Sequence, residues 1–247
     1  MWDDLSVDNN SFDWIAEALQ NGTAIVVADG SYHWDRAPLI SGTGWILYCF
    51  RTKRQITGPF YEKSNVASSY RRELLGLHAL HVLLHAIESY YELGKSPVLI
   101  WCDNKGDLSA SKRHHKQVPT GKKHSDILRA LQAVRRQNST NHNYFHMFAH
   151  HDNITNWLDL PLETQLNCIC DSLAKSAVHH SLVAPSHGGR QTLPFETVAV
   201  YVGGEKQTQD VNTELRFQMG RVHAREIGIH PTTSSTPLYS TLLTGLA

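Results

Sequence analysis

Two short runs of consecutive apolar residues give the first indication of architecture: residues 24–28 and residues 98–102. An aspartate follows each run directly. Continuous apolar runs of this length are typical of strands that are buried on both faces of a sheet. Residues 45–50 and 55–61 predict two further strands, joined by a turn near Thr52. The spacing favours an antiparallel meander that begins with the first buried strand.

The strongest helical pattern lies between the two buried runs, where leucines recur at helical spacing over residues 68–91. A strand, a helix and a second strand in this order favour a right-handed crossover, which makes the two strands parallel. Further helices are predicted over residues 122–136 and 161–182, on either side of a short strand over residues 144–148. The pattern therefore predicts an α/β protein with a mixed sheet flanked by helices.

The two ends of the chain differ in pattern from its middle. Residues 12–20 predict a short helix within an N-terminal extension, 1–21, and the α/β domain is expected over residues 22–182. Residues 183–247 predict a linker, a small βα appendage and a disordered, Thr/Ser/Pro-rich tail.

Composition excludes several classes of protein. The 247-residue chain is 41% hydrophobic and 19% charged, which excludes disorder of the whole chain. No run of apolar residues is long enough to span a membrane, and the acidic N-terminus is unlike a signal peptide. The four cysteines form no CxxC pair. We therefore expect a reduced, intracellular protein of the nucleus or cytoplasm that makes no membrane contact.

The zero net charge conceals a basic segment. Between residues 105 and 136, nine lysines and arginines stand against Asp107 and Asp126, a local charge of 9 − 2 = +7. The rest of the chain carries the opposite charge, because the 23 basic and 23 acidic residues cancel. Such a segment indicates a surface that binds a polyanion, with a solvent-exposed helical face as the alternative.

Carboxylates are predicted to converge at one edge of the sheet. Asp29 and Asp103 end the two buried strands, and ligands of open α/β sheets bind at the carboxyl ends of such strands. Glu73 falls on the buried stripe of the connecting helix, and Asp171 has the same character on the last helix. Each acid alone is better explained as a turn or surface residue, so the signal lies in the ordered combination.

Four converging carboxylates repel one another unless a counter-charge is present. Hard divalent cations with oxygen ligands supply that charge, Mg²⁺ above all. Two such ions on a phosphodiester would activate water and stabilise the leaving oxygen.

Four acidic segments, in the order strand, helix, strand and last helix, resemble the acidic motifs of the ribonuclease H type 1 family. They are Val27-Ala28-Asp29-Gly30-Ser31, Arg72-Glu73-Leu74-Leu75, Val98-Leu99-Ile100-Trp101-Cys102-Asp103-Asn104 and Cys170-Asp171-Ser172-Leu173-Ala174-Lys175. The resemblance implies a five-stranded mixed sheet flanked by helices and cleavage of the RNA strand of RNA–DNA hybrids. It also implies two Mg²⁺ ions, with Mn²⁺ as a substitute, held by Asp29, Glu73, Asp103 and Asp171 as catalytic acids.

The family's loop histidine aligns best with His150, with His151 as the alternative, and the resemblance implies a role in proton transfer or product release. The resemblance also implies nucleic-acid contacts near the acids and in the basic segment. The expected residues are Gly30, Ser31, Asn104, Lys112, Arg113, Lys122 and Lys123.

The family pattern is not matched throughout. The stretch after Asp29 lacks the usual glycines and prolines, the interval from His150 to Asp171 is long, and the residues beyond 182 have no counterpart in compact members. We expect a monomer of retroelement type, with other polyprotein domains as partners. Two alternatives stay open: a catalytically inactive nucleic-acid-binding relic of a mobile element, and a DNA strand-transfer enzyme of the transposase/integrase type on the same fold.

Overall fold

The computed structural model describes residues 6–7, 12–32, 39–64, 66–113, 115–119, 121–147, 155–183, 192–202 and 205–226. Its main sheet has six strands in the order β1-β4-β3-β2-β5-β6. Their bounds are β1 Ser6–Val7, β2 Ala24–Tyr32, β3 Ile40–Cys49, β4 Gln55–Lys63, β5 Pro97–Cys102 and β6 Asn141–His146. Strands β1 to β4 pair antiparallel, whereas β5 runs parallel to both β2 and β6.

Six helices accompany the sheet in the described part of the chain. They are α1 Asp13–Gln20, α2 Ser69–Tyr90, α3 Lys105–Lys112, α4 Ser125–Gln137, α5 Leu162–Val183 and α6 Val211–Glu226. Trp157–Asp159 forms a 3-10 turn, and a two-stranded ribbon joins β7 Tyr201–Val202 to β8 Glu205–Lys206. None of these helices combines the length and hydropathy that a membrane crossing needs, over the residues described.

The sheet has an apolar core on each face. On one face, Val26 and Ile100 of the parallel strands pack with Leu77 and Leu80 of α2. On the other face, Val27 packs with residues of α5. The alternation of neighbouring strand residues between two covered faces explains why the central runs are apolar throughout.

The register of the two central strands brings Asp29, within β2, level with Asp103, which directly follows β5. Ile25 pairs with Leu99 and Val27 with Trp101, so two residues further along each strand the same register reaches Asp29 and Asp103. The crossover through α2 therefore places the two aspartates at one edge of the sheet, as the pattern of apolar runs predicted.

Two glycines of β3 allow α5 to lie directly on the sheet. A Cβ atom at Gly42 would lie 2.1 Å from the carbonyl oxygen of Ala174, and one at Gly44 would lie 2.2 Å from that of Cys170. Real Cβ atoms do not approach backbone so closely, so only glycine allows this packing. The close contact fixes the height of α5 above the sheet and with it the position of Asp171.

A buried ionic cluster holds the start of α2. Arg71 is fully buried, and its guanidinium donates to both carboxylate oxygens of Glu62 at 2.7 Å. It also donates to Asp126 of α4 at 2.9 and 2.8 Å. Such bidentate pairs are geometrically specific. They tie β4 and α4 to the first turn of α2. Glu73 lies two residues after Arg71, in the second turn of the same helix.

Residues 192–202 and 205–208 continue this cluster from the C-terminal side. Leu193 is buried with Leu74 of α2 and Ile127 of α4. The ammonium of Lys206 lies 2.6 Å from Glu196 and 3.4 Å from Asp126. This segment therefore packs on the α2–α4 surface through both apolar and ionic contacts.

Candidate active site

Asp29 lies in β2, opposite Gly44 of β3, and is 8% exposed. The backbone N–H of Gly30 donates to its Oδ1 at 2.6 Å, and the amide of Asn167 on α5 donates to its Oδ2 at 3.2 Å. Both carboxylate oxygens are thus oriented by the surrounding chain, one from the strand and one from the last helix.

The pKa of Asp29 shows that the predicted acids converge. It rises from 3.8 to about 7, first through burial and next through the charge of Asp103. The hydrogen bond from Gly30 opposes the rise, whereas the charges of Asp171 and Glu73 add to it. Asp29 therefore lies within electrostatic reach of all three other acids.

Glu73 enters the site from the second turn of α2 and is 6% exposed. Burial and the charge of Asp103 raise its pKa, while hydrogen bonds from Asn104 and Asp107 and the charge of Arg72 lower it. The Arg72 guanidinium is 3.9 Å away, a loose contact. Oε2 of Glu73 is buried without a hydrogen-bond donor.

The remaining two predicted acids are less buried. Asp103 directly follows β5, and its carbonyl oxygen accepts a hydrogen bond from Nε2 of His146 at 3.0 Å. Asp171 lies on α5, where Lys175 one turn later approaches its Oδ2 at 2.5 Å. This pair is partly exposed, so we expect it to add little stability and to open readily to a ligand.

Asp107 is a fifth acid that the sequence reasoning did not assign to the site. It lies in the first turn of α3, is fully buried, and has a carboxylate oxygen within 4.8 Å of one of Glu73. Two buried carboxylates at this distance repel one another unless one of them is protonated. Burial and the charges of Glu73 and Asp103 accordingly raise the pKa of Asp107 to about 10.

The sequence did contain a signal for Asp107. Asn104 caps α3 by accepting from the N–H groups of Gly106 and Asp107. An Asn cap three residues before an acid places that acid in the first helical turn, beside the cap. Asn167, also absent from the predicted site, lies one helical turn before Asp171 and so shares its face of α5.

The donor set fits a hard divalent cation. Glu73, Cys102 and Asp107 have potential ligand atoms within 4.8 Å of one another, and among the described residues no other group of three such side chains does. The set of Asp29, Glu73 and Asp103 is looser but is rich in carboxylate oxygen, which Mg²⁺ prefers. The buried Oε2 of Glu73, which has no donor, is an oxygen of the kind a cation satisfies.

The other predicted contact residues divide into two groups. Gly30 and Ser31 are buried, and a Cβ at Gly30 would lie 2.3 Å from Cγ of Arg72. The side chains of the predicted basic contacts are exposed: Lys112, Arg113, Lys122 and Lys123. His150 and His151 lie outside the described residues, so their roles stay predictions.

A cleft of about 550 Å³ adjoins the acids. It is lined by Tyr32, Ser68, Ser69, Tyr70, Lys122, Lys123 and His124. Burial and then the negative charges of Asp107 and Glu73 raise the pKa of Tyr70 to about 12, so this residue of the cleft wall is within electrostatic reach of both acids. The cleft therefore brings two exposed lysines into the neighbourhood of the carboxylates.

No protein-family model matches the sequence, and no curated protein matches it. Several solved structures, however, are similar to this chain. The N-terminal ribonuclease H domain of a Mycobacterium tuberculosis protein is 17% identical over 65% of this chain and 96% of that chain, with a TM-score of 0.43. A ribonuclease H1 from compost, in complex with an RNA/DNA hybrid, is 13% identical over 64% and 99%, with a TM-score of 0.46. The ribonuclease H domain of prototype foamy virus is 15% identical over 64% and 95%, with a TM-score of 0.47.

At these identities and TM-scores, the fold assignment rests on the strand order and register of this chain itself. A β4-β3-β2-β5-β6 sheet, antiparallel on one side and parallel on the other, with α2 and α5 on opposite faces, is the ribonuclease H-like fold. The predicted fold class is confirmed. The one addition to the predicted five strands is the two-residue strand β1, which pairs with β4 at the sheet edge.

Proposed function

We propose that this protein is a metal-dependent endonuclease that hydrolyses the RNA strand of RNA–DNA hybrids. The observation that carries the proposal is the convergence of Asp29, Glu73, Asp103 and Asp171 from four separate elements at one sheet edge. Burial and then the charges of the other three acids raise the pKa of Asp29 to about 7. Unfavourable charge of this kind is maintained at functional sites and is relieved by a bound cation.

Each side chain has a distinct part in the proposed reaction. Asp29 and Asp103 would hold both Mg²⁺ ions, with Glu73 and Asp171 completing the ligand set. When bound, two such ions activate a water molecule and stabilise the leaving oxygen of a phosphodiester. Asn167 and the N–H of Gly30 orient the Asp29 oxygens. Asp107, whose pKa rises to about 10, would hold the proton of its pair with Glu73 and so leave the carboxylate of Glu73 for the metal.

The cleft beside the acids supports a nucleic-acid substrate. Lys122 and Lys123 are exposed at its rim, and Ser68 caps α2 five residues before Glu73. Five residues of helix span about 7.5 Å, which is about two steps along a nucleic-acid strand. A phosphate beside the lysines would thus belong to a nucleotide about two positions from the one at the acids. Such contacts hold the backbone without reading its sequence.

Cleavage of an end-labelled RNA–DNA hybrid in Mg²⁺ tests the proposal directly. We expect the wild-type protein to cut the RNA strand and Asp103→Asn to lose at least a hundredfold in rate, because the amide cannot supply the charge that holds the ions. Glu17→Gln is the matched control, since Glu17 is an exposed acid of α1 that has no part in the site.

The alternatives give different results in the same experiment. Tight hybrid binding without cutting would favour the inactive relic, and cutting of duplex DNA in place of the hybrid would favour a strand-transfer enzyme. Either result refutes the proposed activity. The predicted Mn²⁺ substitution, monomeric state, intracellular location and retroelement partners stay predictions.

A further inference from the structure

The open edge of the main sheet carries a second, smaller cleft. Strand β6 is the last strand in the order and pairs on one side only, with β5. A cleft of about 410 Å³ is lined by Lys112, Arg135, His142, Asn143, Tyr144 and Phe145. Four of these residues are consecutive in β6, so the cleft follows the strand edge and reaches both faces of the sheet.

Two cations line this cleft without a carboxylate partner. Lys112 is exposed at the end of α3, and Arg135 is half-buried on α4. Neither makes an ion pair with any residue that the structure describes. Nε of Arg135 donates to the hydroxyl of Tyr144 at 3.1 Å, which holds the guanidinium in place beside the cleft. This arrangement is suited to an anion.

The hydroxyl of Tyr144 is itself held from inside the protein. It lies 3.1 Å from Nε2 of His81, whose ring stacks on His142 at 4.8 Å. His142 is held in turn through Thr140, which lies 2.7 Å from its Nε2. The side chains of the cleft wall are therefore held in place before a ligand arrives, so binding would cost little entropy for ordering them.

An exposed aromatic ring adjoins the cations. Phe145 is 39% exposed, and its ring stacks on Trp101 with the centroids 4.8 Å apart and the planes 23° apart. An exposed ring beside two cations is a combination that binds single-stranded nucleic acid, because a base stacks on the ring and the cations hold the phosphates. Bases of a duplex are already stacked on their neighbours and cannot use such a ring.

The distance from this cleft to the carboxylates allows one nucleic-acid strand to reach both sites. Helix α3 begins beside Asp103 with its cap at Asn104 and ends at Lys112, eight residues or about 12 Å later. A stacked strand advances about 3.4 Å per nucleotide, so about three to four nucleotides span this distance.

From these contacts we infer that the β6-edge cleft binds single-stranded nucleic acid, with a phosphate between Lys112 and Arg135 and a base on Phe145. Its use for an unpaired segment next to a hybrid rests on the proposed function; the binding itself does not.

Fluorescence anisotropy with a labelled 12-nucleotide single-stranded DNA tests the site, using the full chain in EDTA so that cleavage plays no part. We expect Phe145→Ala to weaken binding about tenfold, because stacking of one base contributes about that factor. Phe145→Trp should retain binding. Lys112→Gln should weaken binding severalfold and reduce the slope of log affinity against log salt concentration by about one. Lys116→Gln is the matched control, since Lys116 is also exposed in the basic segment but lies outside the cleft.

The possible results separate this site from the nuclease site. Asp103→Asn should bind the single strand as the wild type does, even if hybrid cleavage is abolished. Because Phe145→Ala also removes a contact with Trp101, a thermal melt of each variant accompanies the titration. A 5-iododeoxyuridine oligonucleotide provides a second measurement in the wild-type chain, and its crosslink should map to residues 141–146. Equal affinities of wild type, Phe145→Ala and Lys112→Gln, crosslinks elsewhere, or displacement of the strand by an acidic peptide at equal affinity would overturn the inference.

Discussion

The charge at the candidate active site predicts that removing one carboxylate stabilises the protein without metal. Asp29→Asn is the most informative change, because the pKa of Asp29 rises from 3.8 to about 7 through burial and through the charges of its neighbours. An asparagine has nearly the same shape, and its side-chain oxygen still accepts the hydrogen bond from Gly30. Its amide nitrogen cannot accept from Asn167, so the substitution removes the charge and that one hydrogen bond. Losing the hydrogen bond changes stability equally at every pH, so the pH dependence of the difference reports the charge.

The magnitude follows from the pKa. The folded state holds the Asp29 proton more tightly than the unfolded chain does, so the unfolded chain ionises first as the pH rises. The free energy of unfolding consequently falls between about pH 4 and pH 7, by about 4 kcal/mol in all at 1.36 kcal/mol per pKa unit. The free energy of unfolding of Asp29→Asn does not fall in this way, because residue 29 no longer ionises. Its advantage over the wild type should grow by about 2.5 kcal/mol between pH 5 and pH 8.

Urea unfolding in EDTA at pH 5 and pH 8, followed by circular dichroism, measures this difference. Glu17→Gln, an exposed acid of α1, should show the same small effect at both pH values. Mg²⁺ should then stabilise the wild type at pH 8 more than the variant, because only the wild type offers the full ligand set. A gap between Asp29→Asn and wild type that does not widen from pH 5 to pH 8 would refute the proposed repulsion.

Three further predictions test how the site and its supports are held. Asn167→Ala should lower hybrid cleavage about fivefold in a Mg²⁺ titration, because its amide no longer donates to the carboxylate on β2; an unchanged rate would exclude a positioning role. Lys206→Ala should cost about 3 kcal/mol in urea unfolding, because it leaves the buried carboxylate of Glu196 without its cation, while Asp126 keeps its pair with Arg71, whereas exposed Lys116→Ala should cost little. Gly44→Ala should lower the melting temperature by several degrees, since its Cβ would meet the α5 backbone at 2.2 Å, and Gly94→Ala, with no atom within 4 Å, should not.

The position of the acids was predictable because it follows from backbone rules. An apolar run that ends in Asp29 and another that ends in Asp103 must become parallel neighbours when a long helix joins them. The observed register brings the two aspartates level, and Glu73 enters from the connecting helix. Each of these placements follows from the hydrophobic periodicity, which is visible in the sequence, and from the right-handed rule for crossover connections.

Other features depend on contacts that no local pattern encodes. Strand β3 begins at Ile40, five residues before the predicted start, because Gly42 and Gly44 pack directly beneath α5 and Thr43 packs on the other face, where its hydroxyl donates to the carbonyl oxygen of Arg72 on α2. Helix α4 begins at Ser125 rather than at residue 122, because His124 adopts the left-handed conformation with φ of 59°. Both differences are set by neighbouring elements rather than by propensity.

Asp107 marks the same division within the site. By composition it is one acid in a basic segment, and only the packing of α3 against α2 turns it toward Glu73 and raises its pKa to about 10. The sequence by itself determined which elements form, in which order, and which acids follow the buried apolar runs, since these follow from short-range periodicity and chain connectivity. That β2 continues past Asp29 to Tyr32 is set by its pairing with β3. Only the tertiary structure decided which carboxyl groups share protons and where unpaired cations meet exposed rings. Desolvation and side-chain contact arise between residues that are distant in the chain.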